Sequence, residues 1–341
     1  MSKGKILVTG ACGYIGSHTW TDLLANGFEV IGLDNFSRSS PEILKGIEKI
    51  SGKKPINHKI DLRDEGALDV FFEKEKNIDA IVHFAAFKSV GESVQYPLRY
   101  FENNVGGMIS LLKQVEKRDI KNFVFSSSCS VYGNVKKMPV TEETALAQAE
   151  SPYARTKQIC EQMLEDFALP NETKIVSLRY FNPAGAHPSN CIGEYSHGKP
   201  QNLMPVMVGS ASGKFPKIEV FGTDYPTRDG SCIRDYIYIM DLAHGHTKTI
   251  EYLFNQQIKE DYQVFNLGTG TGVTVLEMLN AFERETEVKL NYQLGKRREG
   301  DVIEIYADPS KAKEKLHWEA KYTLGDMVRT AWNWELKNNR K

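Results

Sequence analysis

The segment Thr9-Gly10-Ala11-Cys12-Gly13-Tyr14-Ile15-Gly16 constrains the fold of this chain more than any other. It follows an apolar, β-rich run and opens an amphipathic stretch, the strand–turn–helix context that gives a glycine motif meaning. Glycines at this spacing permit a tight turn and close backbone approach, so a pyrophosphate can sit on free N–H groups at the positive end of a helix dipole. The helix is predicted to stop at Asn26-Gly27, with the glycine closing its C-terminus. A second strand then ends at Asp34, eighteen residues beyond Gly16. A carboxylate there accepts hydrogen bonds from both ribose hydroxyls and repels a 2′-phosphate, which favours NAD over NADP, although Arg38 lies close enough to temper that preference. Asp61 sits where a third strand would end and is placed to reach an adenine ring, or equally to be a loop carboxylate.

Apolar runs at 5–9, 29–34, 78–84, 122–126 and 174–180 read as strands alternating with amphipathic helices. Their interiors are apolar at consecutive positions, as strands covered on both faces must be. The predicted fold is α/β, a doubly wound, Rossmann-like parallel sheet with a smaller C-terminal α/β lobe. At 341 residues the chain exceeds what one core comfortably serves. Near Tyr180 the texture changes to Asn182-Pro183-Ala184-Gly185-Ala186-His187-Pro188. We therefore expect a dinucleotide-binding domain over 1–180 and a substrate domain over 181–341, with some later segments returning to pack on the first.

With 43 Lys and Arg against 44 Asp and Glu, the chain offers no overall basic field for nucleic acid or anionic lipid. The five cysteines, Cys12, Cys129, Cys160, Cys191 and Cys232, lack metal-ligand spacing, so no metal and no disulfide framework is expected. The N-terminus runs straight into Ile6-Leu7-Val8 without room for a secretory leader, and the apolar run at 81–87 is too short to span a bilayer. These features place the protein in a reducing cytoplasm.

Tyr-x-x-x-Lys puts a phenol and an ammonium one helical turn apart, so the cation can stabilise a tyrosinate and lower its pKa from about 10. The pattern occurs four times, at Tyr132/Lys136, Tyr153/Lys157, Tyr195/Lys199 and Tyr292/Lys296. Gly133, Gly198 and Gly295 interrupt three of them and argue for turns. Tyr153/Lys157 has no glycine, follows Ser151-Pro152 as N-cap and first helical residue, and leads into Ile159, Cys160, Met163, Leu164 and Phe167 at helical spacing. The strand 122–126 ends in Ser126-Ser127-Ser128, where ligands bind in an open α/β sheet, so Ser128 completes a hydroxyl-positioning triad.

These residues lie in blocks that resemble the extended short-chain dehydrogenase/reductase family over nearly the whole chain. The blocks are the glycine segment through His18, His83 to Ser93, Ser126 to Gly133, Arg179 to Pro183, Arg234-Asp235-Tyr236 and Arg297 to Asp301. The resemblance is to the branch that inverts C4 of UDP-hexoses. It implies Tyr153 as acid/base, Lys157 as its electrostatic partner and ribose ligand, and Ser128 as partner of the sugar 4-hydroxyl. It implies NAD contacts from Gly10, Gly13, Tyr14, Ile15, Gly16, Asp34, Asn35, Asp61, Leu62, Phe84, Ala85, Ala86, Lys88, Asn103, Ser126 and Tyr180, with Tyr153 and Lys157. On the substrate side it implies Lys88, Ser128, Tyr153, Phe181, Asn182, Asn202, Leu203, Phe221, Arg234, Arg298, Asp301 and Ile305. Two arginines suit a diphosphate, since each offers a fork of donors.

The implied activity is interconversion of UDP-glucose and UDP-galactose through a 4-keto sugar that turns over and is reduced on its opposite face. Ile305 occupies the family position that limits sugar size and is neither bulky nor small, which leaves N-acetylated UDP-sugars as alternative substrates. Cys129 stands where the family usually has alanine. A 4,6-dehydratase or decarboxylase would share the fold, but the related dehydratases carry an Asp-Glu pair where Ser127-Ser128-Cys129-Ser130 has no carboxyl group. A non-catalytic dinucleotide sensor would need no proton-transfer pair. Relatives pair through helices like those starting near Pro97 and Pro152, so a homodimer is expected.

Overall fold

Runs of consecutive apolar residues become the middle of a parallel sheet, where burial on both faces selects them. The computed structural model describes residues 2–195, 200, 202–255, 258–298 and 302–338. Its strands are β1 (Lys5–Thr9), β2 (Glu29–Leu33), β3 (Ile56–His58), β4 (Ala80–His83), β5 (Asn122–Ser126), β6 (Lys174–Tyr180), β7 (Asn182–Ala184), β8 (Ile218–Phe221), β9 (Ile233–Tyr238), β10 (Tyr262–Leu267), β11 (Gly272–Thr274), β12 (Tyr292–Gly295) and β13 (Glu304–Ile305). Its α-helices are α1 (Tyr14–Ala25), α2 (Glu42–Ser51), α3 (Glu65–Lys74), α4 (Val90–Gln95), α5 (Pro97–Tyr100), α6 (Gly107–Lys117), α7 (Pro152–Asn171), α8 (Leu203–Ala211), α9 (Ile239–Leu253), α10 (Val275–Thr286), α11 (Ser310–Leu316) and α12 (Leu324–Asn338).

Seven strands form one sheet in the order β10-β6-β5-β4-β1-β2-β3, all pairs parallel. Alternation along the strands feeds two apolar layers, with Ile6, Val8, Val82 and Val124 on one face and Leu7, Ile81 and Phe123 on the other. The chain leaves β1 toward β2 and β3, then crosses back to β4 on the other side of β1. That reversal opens a crevice beyond the carboxyl ends of β1 and β4, where open α/β sheets bind ligands.

The strand ends differ from the sequence reading. β2 ends at Leu33, with the Asp34 amide donating one last bond to the His58 carbonyl (3.2 Å), and β4 covers Ala80–His83. The third strand ends at His58, and Asp61 lies beyond it in a turn closed by the Asp64 amide on the Asp61 carbonyl (3.0 Å). Pattern reading missed β10, which lies beside β6, and α9 packs on α1. In the other lobe β9 pairs with β7, β11 and β13, while β8 pairs with β12. The buried Asp235 carboxylate holds this lobe together. It accepts from Thr269 Oγ1 (2.6 Å) and from the amides of Thr269 (2.9 Å), Gly270 (3.2 Å) and Ala307 (3.1 Å). No described helix is long and apolar enough to cross a membrane.

His18, His83 and His246 are buried, and burial pushes their imidazoles down from 6.5 to about 3, 3 and 4. Below pH 6.5 the unfolded chain takes up protons that the folded chain refuses, so stability is lost as pH falls toward 4. At roughly 1.4 kcal/mol per unit, each histidine removes about 2–3 kcal/mol near pH 4.5. Together they rival the ~5–15 kcal/mol of a typical domain. Urea unfolding is therefore expected to show a markedly lower midpoint near pH ~5 than near pH ~7; equal midpoints would contradict this.

Candidate active site

The crevice is shaped by glycines. Gly10 has φ +66°, and a Cβ there would lie 2.7 Å from the Ala85 amide nitrogen; a Cβ at Gly16 would lie 2.3 Å from the Gly10 carbonyl oxygen. Neither can carry a side chain without moving backbone. Gly13 caps α1 with no side-chain bond, which leaves the amides at that helix start for a ligand. Across the crevice the Phe84 amide donates to the Thr9 carbonyl (3.0 Å), and Thr9 Oγ1 lies 2.7 Å from His83 Nδ1. Tyr14 and Ile15 begin α1, and the Tyr14 hydroxyl donates to the Gly185 carbonyl (2.6 Å), while burial raises its phenol far above 10. A cradle that any Cβ would fill, at a helix N-terminus, fits the pyrophosphate of a dinucleotide.

Asp34 is buried at the end of β2, accepting from the amides of Cys12 (2.9 Å) and Phe36 (2.8 Å) and from Ser39 Oγ (2.7 Å). Arg38 is turned away to the Glu92 carboxylate, and its guanidinium lies 5.0 Å from the Phe87 ring centroid. The arginine that tempered the preference for NAD is thus engaged elsewhere. Asn35 Nδ2 donates to Asp61 Oδ2 (3.0 Å), and Arg63, bonded to the same carboxylate, pulls its pKa down to about 2. Leu62 is buried, and Phe84, Ala85 and Ala86 are half-buried in the loop after β4. Asn103 lies in a π-helical turn, Phe101–Gly106, and donates to Asn104 Oδ1 (2.9 Å). Such turns recur at functional sites. Asn104, which the sequence reading missed, clamps both backbone groups of Phe87 (2.8 and 3.0 Å) and so braces the loop. Lys88 reaches Glu194 of the other lobe (3.0 Å).

The helix start at Pro152 forms as its sequence suggests, with Ser151 Oγ accepting from the Ala154 amide (3.1 Å). Tyr153 and Lys157 share one turn of α7. The Lys157 ammonium is buried, donates to the Ser126 carbonyl (2.6 Å) and lies 4.7 Å from the Phe125 ring centroid. Ser128 Oγ accepts from the Ser130 amide (3.2 Å), and its hydroxyl favours the ionised form of the Tyr153 phenol. The Tyr180 hydroxyl contacts Ser126 Oγ, and burial raises its pKa strongly. Of the rival pairs, Tyr132 closes a short 3-10 helix before Gly133 at φ +65°, Tyr292 lies in β12, and Lys199 falls outside the described residues.

One expectation is corrected. The phenol of Tyr153 is raised to about 12, because burial outweighs the pull of Ser128, and Lys157 is not among the groups that move it. Burial also pushes Lys157 down to about 8, with Cys160 and Glu161 working the other way. Cys129 is pushed up to about 12 by burial despite the nearby Arg234, which argues against a reactive thiol.

On the other lobe, Asn202 precedes α8, Leu203 begins it, and α8 packs on β8. Phe221 ends β8, and the Arg298 guanidinium lies 5.4 Å from its ring centroid. Arg234 in β9 is in register with Ile305 of β13, and Asn182 with Tyr236. Phe181 and Ile305 are buried in one apolar cluster with Val131 and Tyr132. Asp301 lies outside the described residues. The chain thus brings a phenol, a buried ammonium and a serine hydroxyl to the end of β5, beside a dinucleotide cradle. A cation–aromatic pair and a further arginine stand on the facing lobe. That set can move a proton at an alcohol while a neighbouring nicotinamide exchanges hydride.

Comparison with known proteins shows what the whole chain is similar to. A family model described as GDP-mannose 4,6 dehydratase matches residues 7–331. The chain is 47% identical over 334 residues to a UDP-glucose 4-epimerase of Bacillus subtilis, covering 98% of this chain and 97% of the relative. The crystal structure of a UDP-glucose-4-epimerase from Stenotrophomonas maltophila, with bound NAD and formylated UDP-arabinopyranose, superposes with a TM-score of 0.95 at 41% identity, covering 99% of each chain. A UDP-glucose 4-epimerase from Bifidobacterium longum, in complex with NAD+ and UDP, gives 0.94 at 42% identity, covering 98% of this chain and 99% of that one.

Proposed function

The chain belongs to the extended short-chain dehydrogenase/reductase family, among its UDP-glucose 4-epimerases, and on that footing we propose how its residues divide the work. It interconverts UDP-glucose and UDP-galactose with NAD as cofactor. The convergence of the Tyr153–Lys157 helix turn and the Ser128 strand end beside the glycine cradle carries the reading. A dehydratase is not favoured: the matching family model is described as one, but a relative 47% identical over 98% of the chain is a UDP-glucose 4-epimerase, and the end of β5 carries no carboxyl group of its own.

Gly10, Gly13, Gly16, Tyr14 and Ile15 would hold the pyrophosphate, and Asp34, Asn35, Asp61 and Leu62 the adenosine. Phe84, Ala85, Ala86, Lys88, Asn103, Ser126 and Tyr180 would line the path to the nicotinamide. When bound, NAD supplies a reversible hydride acceptor and, while oxidised, a positive ring. Tyr153 takes the proton of the 4-hydroxyl and returns it to the keto oxygen, with Ser128 holding that oxygen. Starting from about 12, bringing the phenol near 7 takes about 7 kcal/mol of preferential stabilisation of the phenolate, at roughly 1.4 kcal/mol per unit. A positive charge about 4 Å away is worth ~4 kcal/mol at an effective dielectric near 20. One such charge covers only part of that gap; the value of about 12 already contains the pull of Ser128 and none from Lys157, so the remainder would fall to positive charge brought close to the phenol when the cofactor is bound. Phe221, Arg234, Arg298, Asn182, Asn202 and Leu203, with Asp301, would fix the uridine diphosphate, leaving the sugar free to turn. The protein as purified, given UDP-galactose and no added NAD, is expected to form UDP-glucose through many turnovers; a requirement for fresh NAD in each cycle would overturn this.

Ile305, packed against Phe181, would form the wall that limits sugar size. Ile305→Gly is expected to raise kcat/KM for UDP-N-acetylglucosamine by about ten-fold, of the order a hydrophobic wall provides; no gain would remove Ile305 from that role. We place the chain in the cytoplasm, a reading supported by five free cysteines. We also expect a homodimer through α4, α5 and α7, which pack together and expose Val94 (62%), Leu98 (81%) and Leu169 (75%). Sedimentation of wild type against Leu98→Asp tests it.

A further inference from the structure

We propose that Ser127 and the buried Glu161–Arg179 ion pair are positioning residues that aim the catalytic end of β5, an inference that rests on the function proposed above. Ser127 stands between the two groups that matter most there. On one side the Ser126 carbonyl accepts from Lys157 Nζ (2.6 Å), and on the other Ser128 acts on the Tyr153 phenol. Ser127 itself is only 1% exposed and cannot touch a sugar. Its hydroxyl donates to Glu161 Oε1 (2.5 Å), while its amide donates to the Leu178 carbonyl of β6 (2.9 Å).

Glu161 lies one turn beyond Lys157 on α7, so one helix carries both the ammonium and the carboxylate that grips the strand end. Arg179 of β6 closes the grip with a fork, Nε to Oε1 (3.0 Å) and Nη2 to Oε2 (2.6 Å). The two side chains are 5% and 6% exposed, so no bulk water can take over either role. Arg179 Nη1 also donates to the Tyr132 hydroxyl (3.2 Å), which donates to Asn266 Oδ1 of β10 (2.7 Å). The joint therefore ties β5, β6, β10 and α7 at the level of the catalytic groups.

Apolar side chains could fill the same joint without taking two charges out of water. Hydrogen bonds, unlike apolar packing, fix direction, and direction is what the Ser126 carbonyl and the Ser128 hydroxyl require. A misplacement of about 1 Å at such groups costs on the order of 100-fold in rate. Glu161 also works to keep Lys157 in its charged form.

The test compares wild type, Ser127→Ala, Ser127→Thr and Tyr153→Phe as holoenzymes converting UDP-galactose to UDP-glucose. Ser127→Ala keeps the ion pair and removes only its link to β5. We expect its kcat to fall by about 10- to 100-fold, with KM and NAD content within about two-fold of wild type, and Ser127→Thr to recover to within a few-fold. A Ser127→Ala enzyme with wild-type kcat overturns the proposal. So does a loss that parallels melting temperature and NAD content and is not rescued by threonine, since that is what a merely structural role produces. Should Ser127→Ala not fold, Ser127→Cys, similar in volume but a weak donor, carries the same comparison with the same two outcomes. A wild type that forms no UDP-glucose removes the function itself and this proposal with it, so the two failures read differently.

Discussion

Replacing Tyr153 by phenylalanine is expected to lower kcat for UDP-galactose to UDP-glucose conversion by about 10³-fold, within the 10²–10⁴ that a positioned acid/base group supplies. The substitution removes one oxygen and leaves the ring, the α7 N-cap and the Lys157 bond to Ser126 in place. Neither the glycine cradle nor the arginines of the facing lobe depend on that oxygen, so NAD content and KM should change little. A loss confined to kcat means that the interaction is made in the transition state. Steady-state kinetics together with the nicotinamide absorbance of the purified protein read both quantities. A kcat within about three-fold of wild type would remove the phenol from the reaction.

Arg179→Met is expected to destabilise the fold by about 3–5 kcal/mol, because it leaves the Glu161 carboxylate buried and unpaired. Against a typical total of ~5–15 kcal/mol this is a large fraction, visible as a lower urea midpoint. The Glu161→Leu/Arg179→Met double variant should regain most of that loss, since two apolar side chains need no partner. It should not regain kcat, because the Ser127 hydroxyl has nothing left to hold. A single variant as stable as wild type would show that the pair bears no weight in the fold.

What was legible in the sequence was local. The β1 run, the glycine turn and the cap at Ser151-Pro152 announce themselves within a dozen residues, because hydrogen bonding and helix periodicity act at that range. The choice of Tyr153 among four candidates likewise needed only the glycines that interrupt the others. What was hidden depends on distant partners. Arg38 looked like a threat to NAD selectivity until Glu92, in another element, was seen to hold it. Asn104 braces the Phe87 loop through backbone groups that no side-chain pattern reports. The direction of the Tyr153 pKa could not be read from an i, i+4 spacing, because burial, which raises it, is set by tertiary packing. One signal was available and overlooked. Glu161, a charged residue one turn beyond Lys157 and next to the buried Cys160, marked a helix position that needed a buried cation, and Arg179 is a charged residue in the buried part of β6.

The hydride route can be followed with UDP-galactose deuterated at C4, incubated with the purified protein in ordinary water. UDP-glucose that keeps its deuterium at C4 is the expected result, because the hydrogen leaves and returns on the same bound nicotinamide. Product in which that deuterium has been replaced by solvent hydrogen would contradict the mechanism.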